Sequence, residues 1–258
     1  MENMMSLDVT VDDSVASVVI NRPEKLNALD LAAFGEIARL VDEFNEDDGI
    51  RAVIFKGAGT KAFSAGADIS ELKDITVEQA SEQARFRQGV LQKLSEMRQP
   101  TVAVINGLAL GGGVELALAC TFRIATPDAR IGLPEVKLGQ LPGAGGTQRL
   151  PRLIGEARAL DMMLTGRLVN AEEALGFGLV NRIIQDPLVE INSFIAQFLA
   201  HSPVALRAIK DAVRFSELPI EEGLNAEVER LAELNKSYDA AEGKRAFLEK
   251  RPPVFLGK

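Results

Sequence analysis

A chain of 258 residues, 47% hydrophobic and 26% charged, can build one large soluble core or a core with an appendage. Its net charge of −8 argues against general nucleic-acid binding and against a polybasic membrane anchor. Cys120 is the only cysteine, which excludes an intrachain disulfide and fits a reducing, cytoplasmic setting.

Met1 to Ser6 lacks the basic-then-apolar order of a secretory leader. Leu7–Val11 and Val15–Ile20 alternate with period two, and Asp12-Asp13 between them predicts a hairpin turn. Arg22 to Leu29 reads as a loop. Asp30 then caps a helix to about Glu46, with Phe34, Ile37, Leu40, Val41 and Phe44 on one face. Ala52–Phe55 is a buried strand closed by Gly57 and Gly59. Thr76 and Gln79 have capping-box spacing ahead of a helix to about Met97. Thr101–Ile105 is a second buried strand, followed by Asn106-Gly107. A helix from about Gly113 to Cys120 comes next, then strands near Phe122–Ala125 and Val180–Ile184.

Strands alternating with helices predict an α/β body over residues 1–186. Beyond Asp186 the pattern changes to consecutive helices: Leu188–Leu199, Val204–Phe215, Ile220–Leu234 and Ala240–Lys250. Residues 187–258 therefore form a helical C-terminal region. Leu224, Val228, Leu231 and Leu234 make an apolar stripe there, suited to the chain's own body or to a neighbouring subunit. Thr101 to Cys120 is long enough to span a bilayer. Asn106-Gly107, the Gly111–Gly113 triplet and Glu115 argue against that.

Several chemistries drop out. The only histidine, His201, sits between two helices as a surface or packing residue, and no Gly-x-Ser-x-Gly elbow exists for a serine triad. One histidine and one cysteine far apart do not make a zinc site, and no metal is expected. Gly57 to Lys61 lacks phosphate-loop spacing, and Gly111–Gly113 is no dinucleotide fingerprint.

Two carboxylates remain. Glu115 follows the glycine triplet at the start of an apolar helix, and Glu135 follows Pro134 at the end of a short strand-like run. Charges in such settings are costly unless they are satisfied or used. Glu115 in a first helical turn also serves as a plain capping residue, and Glu135 as a solvated loop charge. An enolate needs two convergent N–H donors, and a helix N-terminus offers free ones. Gly112 is placed to give one, and Ala65, in the turn Phe63 to Ile69, to give the other. A tight packing turn explains the same glycines equally well.

Arg22-Pro-Glu-Lys-Leu-Asn-Ala-Leu29, Phe63-Ser-Ala-Gly-Ala-Asp-Ile69, Asn106 to Leu116, Leu133 to Gly139 and Pro142 to Leu150 together resemble the enoyl-CoA hydratase/isomerase, or crotonase, family. Glu242-Gly243, Ala246-Phe247 and Glu249-Lys250-Arg251 extend the resemblance to the C-terminus. The resemblance implies a crotonase-like spiral of ββα units and a helical region that assembles a homotrimer or a dimer of trimers. It implies an acyl-CoA substrate, with coenzyme A as handle rather than cofactor, and no metal or redox cofactor. By motif position it assigns the oxyanion hole to Ala65 and Gly112 and the acid–base pair to Glu115 and Glu135. Lys25, Leu26 and Ala28 would meet the nucleotide end of CoA, and Ala67, Asp68 and Ile69 the adenine and pantetheine. Leu110, Gly111, Pro134 and Gly143 would line the substrate, and Lys250 would reach a neighbour's CoA phosphate. Retention of both glutamates points to hydration of a trans-2-enoyl-CoA, as in fatty-acid beta-oxidation. The alternatives are an enoyl-CoA isomerase or another acyl-CoA enzyme of the family, and more remotely a non-catalytic RNA-binding relative.

Overall fold

The computed structural model describes residues 6–258. Met1–Met5, on which most of the leader expectation rests, lie outside the described residues. The chain opens with a hairpin of β1 (Leu7–Asp12) and β2 (Val15–Ile20), turned at Asp13 with φ 55. The Asp30 side chain accepts from Ala33 N–H and caps α1 (Leu31–Glu46), whose predicted apolar face is buried. Next come β3 (Ala52–Gly57), β4 (Ala62–Ser64) and α2 (Val77–Ser95), which starts on the expected Thr76/Gln79 capping box. Then follow β5 (Thr101–Ile105), β6 (Leu108–Leu110), α3 (Gly112–Ala119), β7 (Phe122–Ala125) and β8 (Arg130–Gly132). The body continues with α4 (Gly146–Ile154), α5 (Glu156–Thr165), β9 (Val169–Asn170), α6 (Ala171–Phe177) and β10 (Arg182–Ile183). Four helices finish the chain: α7 (Pro187–Leu199), α8 (Pro203–Arg214), α9 (Ile220–Leu234) and α10 (Tyr238–Glu249).

The strands form two sheets, ordered β1-β2-β3-β5-β7-β10 and β4-β6-β8-β9. Three successive units, β3-β4-α2, β5-β6-α3 and β7-β8-α4, each place their first strand in the larger sheet and their second in the smaller one. Neighbouring units pair in parallel within both sheets. This is the spiral of ββα units. Its consequence for function is direct: the segments that follow β4, β6 and β8 emerge side by side, although some twenty residues or more separate them in sequence.

The central strands β3, β5 and β7 of the larger sheet are buried on both faces, which explains their continuous apolar runs. One face joins the main core with Phe34, Phe55, Leu91 and Leu116. The other carries Ile54, Val104 and Ile124 against Ile191, Phe194 and Phe198 of α7. So α7 belongs to the packing of the body, and the change of pattern at Asp186 is not a break in the core. No residue of α8 or α9 is fully buried in the single chain, although Leu206 of α8 packs partly buried against this second cluster. Among the described residues no helix is long and apolar enough to cross a membrane. Thr101 to Cys120 instead folds as β5, β6 and α3.

Candidate active site

The short helix α3 is buried along all eight residues. It starts after Gly111, whose φ of 48 and ψ of −122 suit glycine alone. Gly111 N–H donates to Gly132 O at 3.0 Å, and Leu110 pairs with Gly132 across β6 and β8. That contact sets the turn before Glu115 beside the strand that leads through Pro134 to Glu135. A methyl group on Gly111 would lie 2.9 Å from Glu135 Oε1, so the bare backbone lets the carboxylate lie over the helix start.

Glu115 is 3% exposed. Its Oε1 accepts from Ala144 N–H at 2.8 Å and from Gly146 N–H at 2.7 Å. Burying a carboxylate costs several kcal/mol. Two charge-assisted bonds of about 1.5–3 kcal/mol each offset much of that. Burial still wins: the Glu115 pKa is raised, against the pull of those two N–H groups and of Arg149 and Arg87. Glu135 is half-buried, and its Oε2 is enclosed with no hydrogen-bond partner among the described residues. Its pKa is pushed up to about 7, first by burial and further by the charge of Glu115. The two carboxyls thus form an interacting pair that holds a proton near neutrality.

The unengaged N–H groups differ from the expected oxyanion donors at one position. Ala65 N–H donates to Leu26 O at 2.9 Å and is therefore not free. Gly66 N–H is taken by Ser64 Oγ at 3.1 Å. The next N–H along, that of Ala67, has no acceptor among the described residues. A methyl group on Gly112 would lie 3.3 Å from Ala67 N. Gly112 itself opens α3, where an N–H has no intrahelical acceptor. Ala67 and Gly112, rather than Ala65 and Gly112, leave their N–H groups without an acceptor among the described residues. Between Ala65 and Ala67, Gly66 adopts φ 95, a left-handed conformation suited to glycine. Any side chain there would lie 2.7 Å from Leu110 O and force the two donors apart.

The other predicted residues divide into two groups. Lys25 Nζ and Arg22 Nη2 both bond Asp68 Oδ2, at 2.9 and 3.1 Å, which joins the Lys25–Ala28 loop to the turn after β4. These bonds and Ser70 hold the Asp68 carboxyl well below the usual range. Leu26 adopts φ 52, Ala28 O accepts from Arg22, and Ile69 projects 63% exposed from the same rim. Gly143 O accepts from Gln88 beside the Glu115 clamp. Lys250 stands apart. It is exposed at the left-handed C-cap of α10, and its side chain makes no hydrogen bond or ion pair among the described residues. Sequence reasoning missed the Ala144 and Gly146 donors. Their only signal was a glycine pair, Gly145-Gly146, ahead of a helix. His201 is exposed, as expected; its carbonyl accepts from Arg51 and its backbone N–H donates to Phe198 O.

A family model described as enoyl-CoA hydratase/isomerase matches residues 10–258. The chain belongs to that family. Among its relatives, the crotonyl-CoA hydratase of Syntrophomonas wolfei is 38% identical over 250 residues, covering 96% of each chain. The short-chain-enoyl-CoA hydratase of Clostridium acetobutylicum is 40% identical, covering 93% of each. The crystal structure of an enoyl-CoA hydratase from Bacillus anthracis superposes with a TM-score of 0.92 at 38% identity, over 98% of this chain and all of that one. The family's fold is the spiral described above.

Proposed function

We infer that this chain is an enoyl-CoA hydratase, a hydro-lyase that adds water across the double bond of a trans-2-enoyl-CoA. The observation that carries the reading is buried Glu115 paired with half-buried Glu135, beside the Ala67 and Gly112 N–H groups that have no acceptor among the described residues. The thioester oxygen binds those two donors, which draw charge from the conjugated system and make the β-carbon electrophilic. A water held between the carboxyls attacks the β-carbon while Glu115 takes its proton. Glu135 delivers a proton to the α-carbon. The product is a 3-hydroxyacyl-CoA, and the pair ends with the same single proton, moved from one glutamate to the other. Addition of water changes no net oxidation state, so the reaction calls for no redox cofactor. We assign no metal to it.

The pH dependence follows. Catalysis in either direction needs one proton on the pair. Glu135 is protonated below about 7 and loses that proton above it. We expect kcat/KM for a crotonyl thioester to fall as pH rises past that point. The dehydration of the 3-hydroxy product must show the same alkaline limb, because the net reaction carries no proton. A profile flat from pH ~6 to ~9 contradicts the shared-proton mechanism.

The assembly is part of the proposal. Ile209 and Val213 on α8, with Leu224, Val228 and Leu231 on α9, are all more than half exposed in the single chain. A monomer leaves this apolar face in water. It supports a homotrimer or a dimer of trimers, in which Lys250 serves a neighbour's CoA phosphate. A cytoplasmic setting fits the single buried cysteine. Light scattering should give a mass that is a multiple of three chains, and a fully active monomer would overturn both the assembly and the shared role of Lys250.

A further inference from the structure

Glu115 is only as well placed as the turn that grips it. The two gripping N–H groups belong to the peptides Gly143–Ala144 and Gly145–Gly146. A peptide is planar, so whatever holds its carbonyl also aims its N–H. The carbonyl of the first, Gly143 O, accepts from Gln88 Nε2 of α2 at 2.8 Å. The carbonyl of the second, Gly145 O, accepts the backbone N–H groups of Gln148 and Arg149 at 3.1 and 2.9 Å. The peptide between them offers Ala144 O, which accepts from Arg149 Nη1 at 3.2 Å. The other arm of the guanidinium, Nη2, bonds Gln92 Oε1 at 3.1 Å. Gln88 and Gln92 are four residues apart on α2 and so share one face. Gly145, at φ 111, leaves the space the guanidinium fills: a methyl group there would lie 2.1 Å from Arg149 Nη1.

We propose that Arg149, together with Gln88, is a positioning residue for Glu115, acting by locking the carbonyl side of the turn whose N–H groups hold the carboxylate. The proposal rests on the reading of Glu115 as the base of a hydratase. The charged groups that face Glu115 are Arg149 from α4, Arg87 from α2 and Glu135 from the turn after β8. Arg149 therefore acts in two ways. Its fork fixes geometry, and its charge favours the ionised Glu115.

Three variants separate these effects. Arg149→Met removes both. We expect kcat on a crotonyl thioester to fall about 10-fold to 10²-fold, the scale of a small misplacement, with KM within about twofold. The acid limb of kcat/KM should move to higher pH, because Glu115 has lost a facing cation. Arg149→Lys keeps the charge without the fork, so kcat should drop while the acid limb stays near that of the parent. Gln88→Leu changes an exposed side chain, leaves the charge alone and should lower kcat without moving the limb. Should Arg149→Met fail to fold, the other two decide. The proposal is overturned if the Arg149→Met limb coincides with the parent's, or if Gln88→Leu and Arg149→Lys keep full kcat. Glu115→Gln is run alongside. Full hydration by that variant removes the hydratase reading itself, whereas a dead Glu115→Gln with an unmoved Arg149→Met removes only the positioning role.

Discussion

Glu135→Gln should lower the hydration rate of a crotonyl thioester by about 10²–10⁴-fold, the usual contribution of a general acid–base group. The amide has nearly the size of the carboxyl and can occupy the same enclosed position over Gly111. Among the described residues Oε2 of Glu135 has no hydrogen-bond partner to lose. What disappears is a group whose pKa of about 7 lets it hold a proton at working pH and release it to the α-carbon. Removing a charge pushed up by burial and by Glu115 should leave the fold at least as stable above neutrality. Loss of rate with a melting temperature no lower than the parent's is therefore the expected pattern. A variant with near-full turnover would exclude Glu135 from the chemistry.

Gly112→Pro should cost about 10²–10³-fold in kcat, the scale found when one oxyanion donor is removed. Gly112 is the first residue of α3, a position where proline suits the helix and where the N–H has no helical use. The substitution deletes the donor while Ala67 N–H remains, so residual activity is expected rather than none. The loss should be equal for short and long acyl tails, because the thioester carbonyl is common to all. Circular dichroism establishes that α3 still forms. A folded variant with normal turnover would remove the Gly112 N–H from the mechanism.

Both glutamates were legible in the sequence because a charge amid glycines and apolar residues has few reasons to be there. Their closeness was not. It depends on β6 and β8 being neighbours in the smaller sheet, and the strands of that sheet are only two or three residues long. Alternation with period two has no room to show in so short a run. The longer strands of the first sheet and the capped helices α1 and α2 carried enough periodicity and cap chemistry to be placed well. The helices α4, α5 and α6 went unassigned. The first of them begins at Gly146 and contains Pro151, which hides its pattern. The oxyanion turn shows the limit of reading backbone donors from composition. Ala65, Gly66 and Ala67 are all small, and only the observed bonds of the first two N–H groups single out the third.

Water addition to a conjugated acyl thioester, with Glu115 and Glu135 as the proposed acid–base pair, leaves an isotopic trace in the product. The most direct measurement is turnover of crotonyl-CoA by the purified chain in heavy-oxygen water, followed by mass spectrometry of the product. The account predicts a 3-hydroxybutyryl thioester with one heavy oxygen on the β-carbon, formed by the parent chain and nearly abolished in both Glu115→Gln and Glu135→Gln. Migration of the double bond with no oxygen taken up, or undiminished hydration by either variant, would contradict it.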